Sequence, residues 1–545
     1  MKYFIGLLLF SFQFADAQKL KKADKAILAG LQNHIGYLAD DKLEGRRTGS
    51  NGETLAYEYI SKEFEKDGML PRGEKDTYLQ AFEVNDGKKV NNAAHLFIRD
   101  NDLVLDKEYF PFPFSPNTSL ETPVSMALRE AGEPWFYDIR ELTEANKNNP
   151  HFDLVDAIKT QAINAAKKGA TAFIVYNTSA VDDELKFEPK AKTEIISIPV
   201  VYITKPAREK YLKDETATMD VKLRVDISDI KRYGHNVIGY IDNHASNTIV
   251  IGAHYDHLGY GEDGNSLYTG TTKQIHNGAD DNASGTAAVI ELGKMLKASK
   301  LKNNNYLFVA FSGEELGLFG SKYFTEHPTM DISRVNYMLN LDMVGRLKDS
   351  THGLNIGGYG TSPLWGELIQ KKDKYFTISF DSSGTGPSDH TSFYRKDIPV
   401  LFFFTGVHSD YHKPTDDMDK INYIGELQVI KYIYGLIEKT DKKEKLVFTK
   451  TRETQMNGRS SFKVTLGIMP DYTFDGIGVR ADGISEGKIA QKAGIKAGDI
   501  IVQLGDHKFT DVQTYMEALS QFKKGDATKV KVKRGTQELV FDIVF

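Results

Sequence analysis

The chain has 545 residues, 40% of them hydrophobic and 26% charged, with a net charge of −6 and no cysteine. That length exceeds one compact core, so about two to four domains are expected, and the charge leaves no basic footprint for nucleic acid. Without cysteine there are no disulfides, thiolate zinc sites, cysteine nucleophiles or lipid-bearing cysteine, so any metal site must be built from His, Asp and Glu.

The first residues, MKYFIGLLLFSFQFADA, carry Lys2, an apolar run from Tyr3 to Phe14 and an A-x-A ending at Ala17. They read as a cleavable secretory signal over 1–17, which predicts export to the periplasm or medium. The apolar run is shorter than the roughly 20 residues of a spanning helix, so no stable membrane anchor is expected. Ile27, Leu31, Ile35 and Leu38 then recur at helical spacing. After the loop DDKLEGRRTGSNG, the stretch ETLAYEYISKEFEKDGM predicts a second amphipathic helix closed near Gly68.

From 84 to 229 the texture changes to short strand-like runs, an aromatic and proline-rich patch (EYFPFPFSP), and the segments AINAAKKGATAFIVYN and ISIPVVYIT. These two predict a helix feeding a buried strand, then another strand, in a separate module. From 230 to 440 the pattern is α/β. NTIVIGAH, NNYLFVAFSGEELG, NYMLNLDM and IPVLFFFTG are apolar runs without alternation, as in strands covered on both faces of a largely parallel or mixed sheet flanked by helices. A helix is predicted from Asp281. Residues 441–455 form a charged linker, and 456–545 predict a small module of short strands, one helix (DVQTYMEALSQF) and a hairpin. With 18–83 joined to 230–440 as one catalytic unit, 84–229 is an insert.

In open α/β sheets, function gathers beyond the carboxyl ends of the strands. There lie His254, Asp256 and His257; Glu314 and Glu315; Asp342; and His408, Asp410, His412 and Asp416, with Asp280–Asp281 before a helix on the same side. Taken singly, each is an ordinary turn, cap or surface group. Together, at five segment ends, they predict a metal site, with one aspartate of the 280–281 pair as a ligand. Two His, two Asp and one Glu set three negative charges against two dications, a balance that favours a bound hydroxide. Imidazole and carboxylate without thiolate suit zinc, and also manganese or cobalt.

In this order and spacing, GAHYDH, GADDNASG, SGEELG, LNLDM and YHKPTDD resemble the co-catalytic di-zinc exopeptidases. That family includes bacterial and vacuolar aminopeptidases, with glutamate carboxypeptidase, glutaminyl cyclase and transferrin receptor as relatives. LADDKLEGRRTGSNG resembles its N-terminal segment, and the likeness covers roughly 20–82 and 230–440. The resemblance implies two zinc ions per chain bridged by Asp281, one completed by His254 and Asp342, the other by Glu315 and His412. It implies Glu314 as general base, Asp256 as the hydrogen-bond partner that fixes His254, Asp416 in the same part for His412, and a cis peptide after Asp281. GTGPSDHTSFY resembles a family loop near the active site, which makes Asp389 and His390 substrate-adjacent.

Residues 84–229 resemble a protease-associated domain through AAKKGATAFIVYN and IPVVYIT, although LETPVSMALREAGEPWFYD fits poorly. Residues 456–545 resemble a PDZ domain through LGIMPDY and ISEGKIAQKAGIKAGDIIVQLGD, which implies a peptide or C-terminus ligand. Two motif matches are declined. Gly259–Gly264 matches GxGxxG but leads into no helix, so a flexible loop is expected, and Gly483–Gly487 matches GxSxG without a large sheet to present the serine. HExxH does not occur. The expectation is an exported aminopeptidase acting on peptides. Its rivals are a carboxypeptidase or dipeptidase gripping a carboxylate with Arg346 or Arg395, a glutaminyl cyclase, and an inactive binding protein.

Overall fold

A computed structural model of the chain describes residues 20–147, 152–189, 191, 193–214, 216–371, 373–451, 464–470, 477–484, 487–509 and 512–545. The signal-like segment 1–17, the end of the 441–455 linker and the Ser485–Glu486 step of the GxSxG match lie outside the described residues. The same holds for the last two residues of LGIMPDY.

Helix α1 (Lys22–Leu38) buries Ile27, Leu31, Ile35 and Leu38, the one face that their spacing defines. Helix α2 (Asn51–Lys66) starts where the Ser50 hydroxyl accepts the Glu53 N–H, while the Glu53 carboxylate reaches back to the Gly49 N–H. The chain leaves it through Gly68 at φ +73°, a left-handed turn suited to glycine.

The central sheet has nine strands: β1 (Leu70–Pro71), β2 (Leu79–Val90), β3 (Ile227–Ile241), β4 (Thr248–His254), β5 (Asn305–Phe311), β6 (Val335–Leu341), β7 (Gly353–Gly357), β8 (Thr377–Phe380) and β9 (Val400–Phe404). Their order is β1-β3-β5-β4-β6-β9-β7-β8, with β2 also paired to β3. The middle of the sheet, β5-β4-β6-β9, is parallel, and the pairs β3–β5, β2–β3 and β7–β9 are antiparallel. Alternate residues serve two separate cores. Ile249, Ile251, Tyr306 and Phe308 pack with Leu31, Ile60, Leu292 of α3 (Gly285–Ala298) and Ile433 of α4 (Tyr423–Thr440). Val250, Leu307 and Val309 pack with Phe324 and Phe393 on the other face. Continuous apolar runs are what two covered faces demand.

Strands β2 and β3 form a long antiparallel ribbon, from Leu79 opposite Val237 to Val90 opposite Ile227, which straddles residues 84 and 229. Beyond it lie two four-stranded sheets that share one core, and one of the two adds a second core with its helices. In one of them the helix Leu154–Lys167 leads to the buried strand Ala172–Tyr176, which pairs in parallel with Val200–Ile203. The C-terminal segment folds around Val479, Ile501, Leu504, Val530 and Val532, with a six-stranded sheet, the helix Val512–Ser520 and the hairpin Ala527–Arg534/Gln537–Val544.

Candidate metal centre

Because β4, β5, β6 and β9 are parallel neighbours, their carboxyl ends lie side by side and the residues just beyond them meet. His254 is the last residue of β4, Asp342 follows β6 directly, Glu314 and Glu315 lie three and four residues past β5, and His412 comes eight past β9. Between His254 and His412 sits Asp281. His254 Nε2 is 3.4 Å from Asp281 Oδ1 and 3.4 Å from Asp342 Oδ1. On the other side, His412 Nε2 is 3.3 Å from Asp281 Oδ2 and 3.3 Å from Glu315 Oε2. One carboxylate thus shares its two oxygens between two imidazole–carboxylate groups, each able to hold a cation.

The segment around Asp281 differs from the predicted helix start. Residues Ala279–Ser284 form a wide turn in which Asp281 and Asn282 are non-helical, and α3 begins only at Gly285. The Asp281–Asn282 peptide is cis. The neighbouring side chains do the local structural work. Asp280 Oδ1 accepts the Gly345 N–H at 2.7 Å and the Ser284 hydroxyl at 3.0 Å. Asn282 donates to the Leu341 carbonyl at 3.0 Å and accepts from Met343 N at 3.1 Å. Asp280 and Asn282 tie the turn to the chain on either side of Asp342, which leaves Asp281 for the centre.

The imidazoles are oriented from behind by main-chain oxygens. His254 Nδ1 lies 3.2 Å from the Asp256 carbonyl and 3.7 Å from its carboxylate. The carboxylate is taken up elsewhere: Oδ2 accepts the Thr48 hydroxyl at 2.9 Å and Oδ1 the Glu314 N–H at 3.2 Å. His412 Nδ1 lies 2.8 Å from the Asn265 carbonyl. A ring that donates from Nδ1 turns the Nε2 lone pair to the centre. Asp416 does not orient His412 as the resemblance implies. Its carboxylate accepts the N–H groups of Asp280 at 3.1 Å and Asp281 at 3.0 Å, so it holds the bridging residue instead.

His257, one of the rim histidines, has no part in the ligand set that the resemblance implies, yet it lies within the constellation. Its Nδ1 is 2.8 Å from Glu315 Oε1 and 3.9 Å from Asp281 Oδ2. Against the cost of burial, His412 and His257 pull Glu315 down to about 2, and the three imidazoles hold the buried Asp281 well below the carboxylate range. Glu314 goes the other way: burial pushes its carboxyl well above the usual range, and the neighbouring Glu315 and Asp342 add to this. The two adjacent glutamates therefore have opposite proton affinities.

Asp389 and His390 separate. Asp389 is fully buried, and burial, against the opposing pull of His254, pushes its carboxyl up to about 7. His390 stacks on Phe402 with ring centroids 4.6 Å apart, and burial takes it down to about 3. It is part of an aromatic wall that continues through Phe404. Met343, Phe402, Phe404, Val407 and Tyr411 form an apolar cluster beside the centre, with the Tyr411 ring stacked on His412 at 3.9 Å.

The profile of peptidase family M28 matches residues 236–436, and that of a PDZ domain matches residues 464–544. The chain is 27% identical over 313 residues to aminopeptidase YwaD of Bacillus subtilis, covering 55% of this chain and 63% of that protein. It is 25% identical over 293 residues to the probable lipoprotein aminopeptidase LpqL of Mycobacterium tuberculosis, covering 47% and 55%. In both, the matched part is less than two thirds of the relative's length. Among solved structures, an aminopeptidase from Aneurinibacillus sp. strain AM-1 aligns over 78% of this chain and 96% of its own, with 23% identity and a TM-score of 0.41. The zinc aminopeptidase BSAP from Bacillus subtilis aligns over 77% and 98%, with 21% identity and a TM-score of 0.43. By the profile matches alone, residues 236–436 carry the sequence signature of peptidase family M28 and residues 464–544 that of a PDZ domain.

Proposed function

We propose that the chain is an exported zinc aminopeptidase that removes N-terminal residues from peptides. The observation that carries this reading is a spacing. Four ligands around zinc at about 2.0–2.1 Å lie about 3.3–3.4 Å apart, and the Nε2–oxygen pairs centred on Asp281 are all 3.3 or 3.4 Å. His257, at 2.8 and 3.9 Å from its carboxylate neighbours, fits a hydrogen bond to Glu315 better than a ligand position. The donor set suits two zinc ions, held by His254, Asp281 and Asp342 and by Asp281, Glu315 and His412.

Bound there, the ions would supply Lewis acidity to the scissile carbonyl and ease deprotonation of water at neutral pH. Glu314 takes the proton of the attacking water and returns it to the leaving amine. The Asp256 carboxylate, which accepts the Glu314 N–H at 3.2 Å, steadies that base. The apolar cluster of Met343, Phe402, Phe404, Val407 and Tyr411 offers a wall for the side chain of the first residue. Arg346 is engaged by Asp410 at 3.3 Å and Arg395 is exposed, which favours amine-end over carboxylate-end recognition.

Residues 1–17 are read as the export signal, and among the described residues no helix is long and apolar enough to cross a membrane. The segment 84–229 is read as a protease-associated insert that shapes access, and the PDZ domain as a holder of peptide chain ends. The test is hydrolysis of aminoacyl-nitroanilides and of N-acylated peptides by chelator-stripped and zinc-restored protein. Zinc-dependent release from the free-amine substrates alone is expected. Cleavage of the acylated peptides at the carboxyl end, or activity indifferent to zinc, overturns the proposal.

A further inference from the structure

The GxGxxG-like turn at 259–264 is bound tightly into the protein. Gly259 N donates to the Gly45 carbonyl at 3.0 Å and His257 N to the Arg46 carbonyl at 3.3 Å, which zips the loop to the segment before α2. At the turn's far end, Asp263 receives two arginines. Arg47 donates from Nε at 2.8 Å and Nη2 at 3.0 Å, one to each carboxylate oxygen, and Arg232 Nη2 lies 3.1 Å from both. Arg232 is on β3, and both arginines also reach Asp86 on β2, at 2.9 and 3.4 Å. The cluster is largely shielded: side-chain exposure is 9% for Arg232 and 12% for Asp263. Charge-assisted forks of this kind hold position as well as charge.

Two residues on, Asn265 touches only one half of the metal centre. Its carbonyl meets His412 Nδ1 at 2.8 Å, and its amide donates to the Glu315 carbonyl at 3.2 Å. Leu267 N then donates to the His412 carbonyl at 2.9 Å. His254 and Asp342 have no contact with this loop among the described hydrogen bonds. We propose that Asp263, clamped by Arg47 and Arg232, is a positioning residue for the His412–Glu315 cation site. Through Asn265 it sets the aim of His412, so that the root of the insert, where β2 and β3 carry Asp86 and Arg232, is coupled to one ion and not the other.

This rests on the two-zinc reading above, and the experiment separates the two. Metal-free full-length protein is titrated with zinc against a chromophoric chelator, and the two affinities are read individually. Asp263→Asn is expected to weaken one ion about 10- to 100-fold, the usual effect of losing support behind a ligand, and to leave the other unchanged. In a His412→Ala background, where that ion's ligand is already gone, adding Asp263→Asn should not alter the remaining affinity. Arg47→Lys, which keeps the charge and loses the fork, should repeat the selective loss if Asp263→Asn folds poorly. Unchanged affinities, or an equal fall in both, overturn the clamp, as does the same loss in Lys273→Ala in the same loop. Wild-type protein that takes up no zinc overturns the metal reading, and the clamp with it.

Discussion

Arg46 is fully buried and spends its guanidinium on main-chain oxygens. It donates to the carbonyls of Tyr255 at 2.7 Å, Asn277 at 2.6 Å, Gly278 at 3.0 Å and Leu38. These four carbonyls come from the end of α1, the exit of β4 and the approach to Asp281, so one planar fork joins three segments that shape the centre. Burial lowers the guanidinium to about 10, while Asp256, Asp281, Asp416 and Glu315 oppose this and keep it charged. A lysine offers three donors from one point and cannot reproduce the fork. Arg46→Lys therefore leaves at least one buried carbonyl unsatisfied, about 1–3 kcal/mol, or roughly 2–10 °C in melting temperature. Arg46→Met strands all four, roughly 4–12 kcal/mol, comparable with the about 5–15 kcal/mol that holds a domain folded. Differential scanning calorimetry on metal-free protein is the assay, because bound zinc would add its own stabilisation. An Arg46→Met protein that purifies and melts within about 2 °C of wild type would refute the argument.

Glu314→Gln is expected to keep both zinc ions by metal analysis and lose about 10²- to 10⁴-fold in kcat; near-normal turnover would remove Glu314 as the base. Glu426 on α4 is buried with neither carboxylate oxygen hydrogen-bonded, and burial, then Asp280, holds it well above the usual range. The folded protein thus keeps a proton that the unfolded chain releases above about pH 4.3, and this group's contribution to stability falls as pH rises from there. Glu426→Gln, neutral throughout, should gain melting temperature over wild type between about pH 5 and pH 8, and a pH-independent difference would contradict this. At the start of α2, a Cβ on Gly52 would lie 1.7 Å from the Leu43 carbonyl oxygen. Gly52→Ala should therefore cost about 1–3 kcal/mol, read by thermal melting; an unchanged melt would mean the backbone there yields freely.

The sheet and its ligand-bearing ends were legible because both leave residue-type signals. An apolar run such as Thr248–His254 that stops at a histidine says strand and rim at once. What escaped was carried by main-chain atoms or by contacts distant in sequence. The Asn265 carbonyl behind His412 has no side-chain signature, and it lies 147 residues from its partner. Residue type does not say what Asp280 and Asn282 do beside Asp281, and only the pairing of their side chains with residues 341–345 explains them. Asp416 takes a different partner from the implied one for a related reason: the donors to its carboxylate are backbone N–H groups, which every residue type but proline offers. The helix expected from Asp281 starts four residues later because Asn282 bonds the last residue of β6 and Ser284 the segment beyond it, in competition with helical capping.

The β2–β3 ribbon brings the two crossings into the insert together, with Val90 directly opposite Ile227. Strand partners in such a ladder lie about 5 Å apart, a gap that a two-residue turn closes. The chain can therefore be cut after Val90 and rejoined before Ile227 with a short reverse turn, and the parent sheet keeps its order. An appendage rooted this way is a cassette, free to be lost, lengthened or exchanged in evolution or in the laboratory without reopening the fold that carries it.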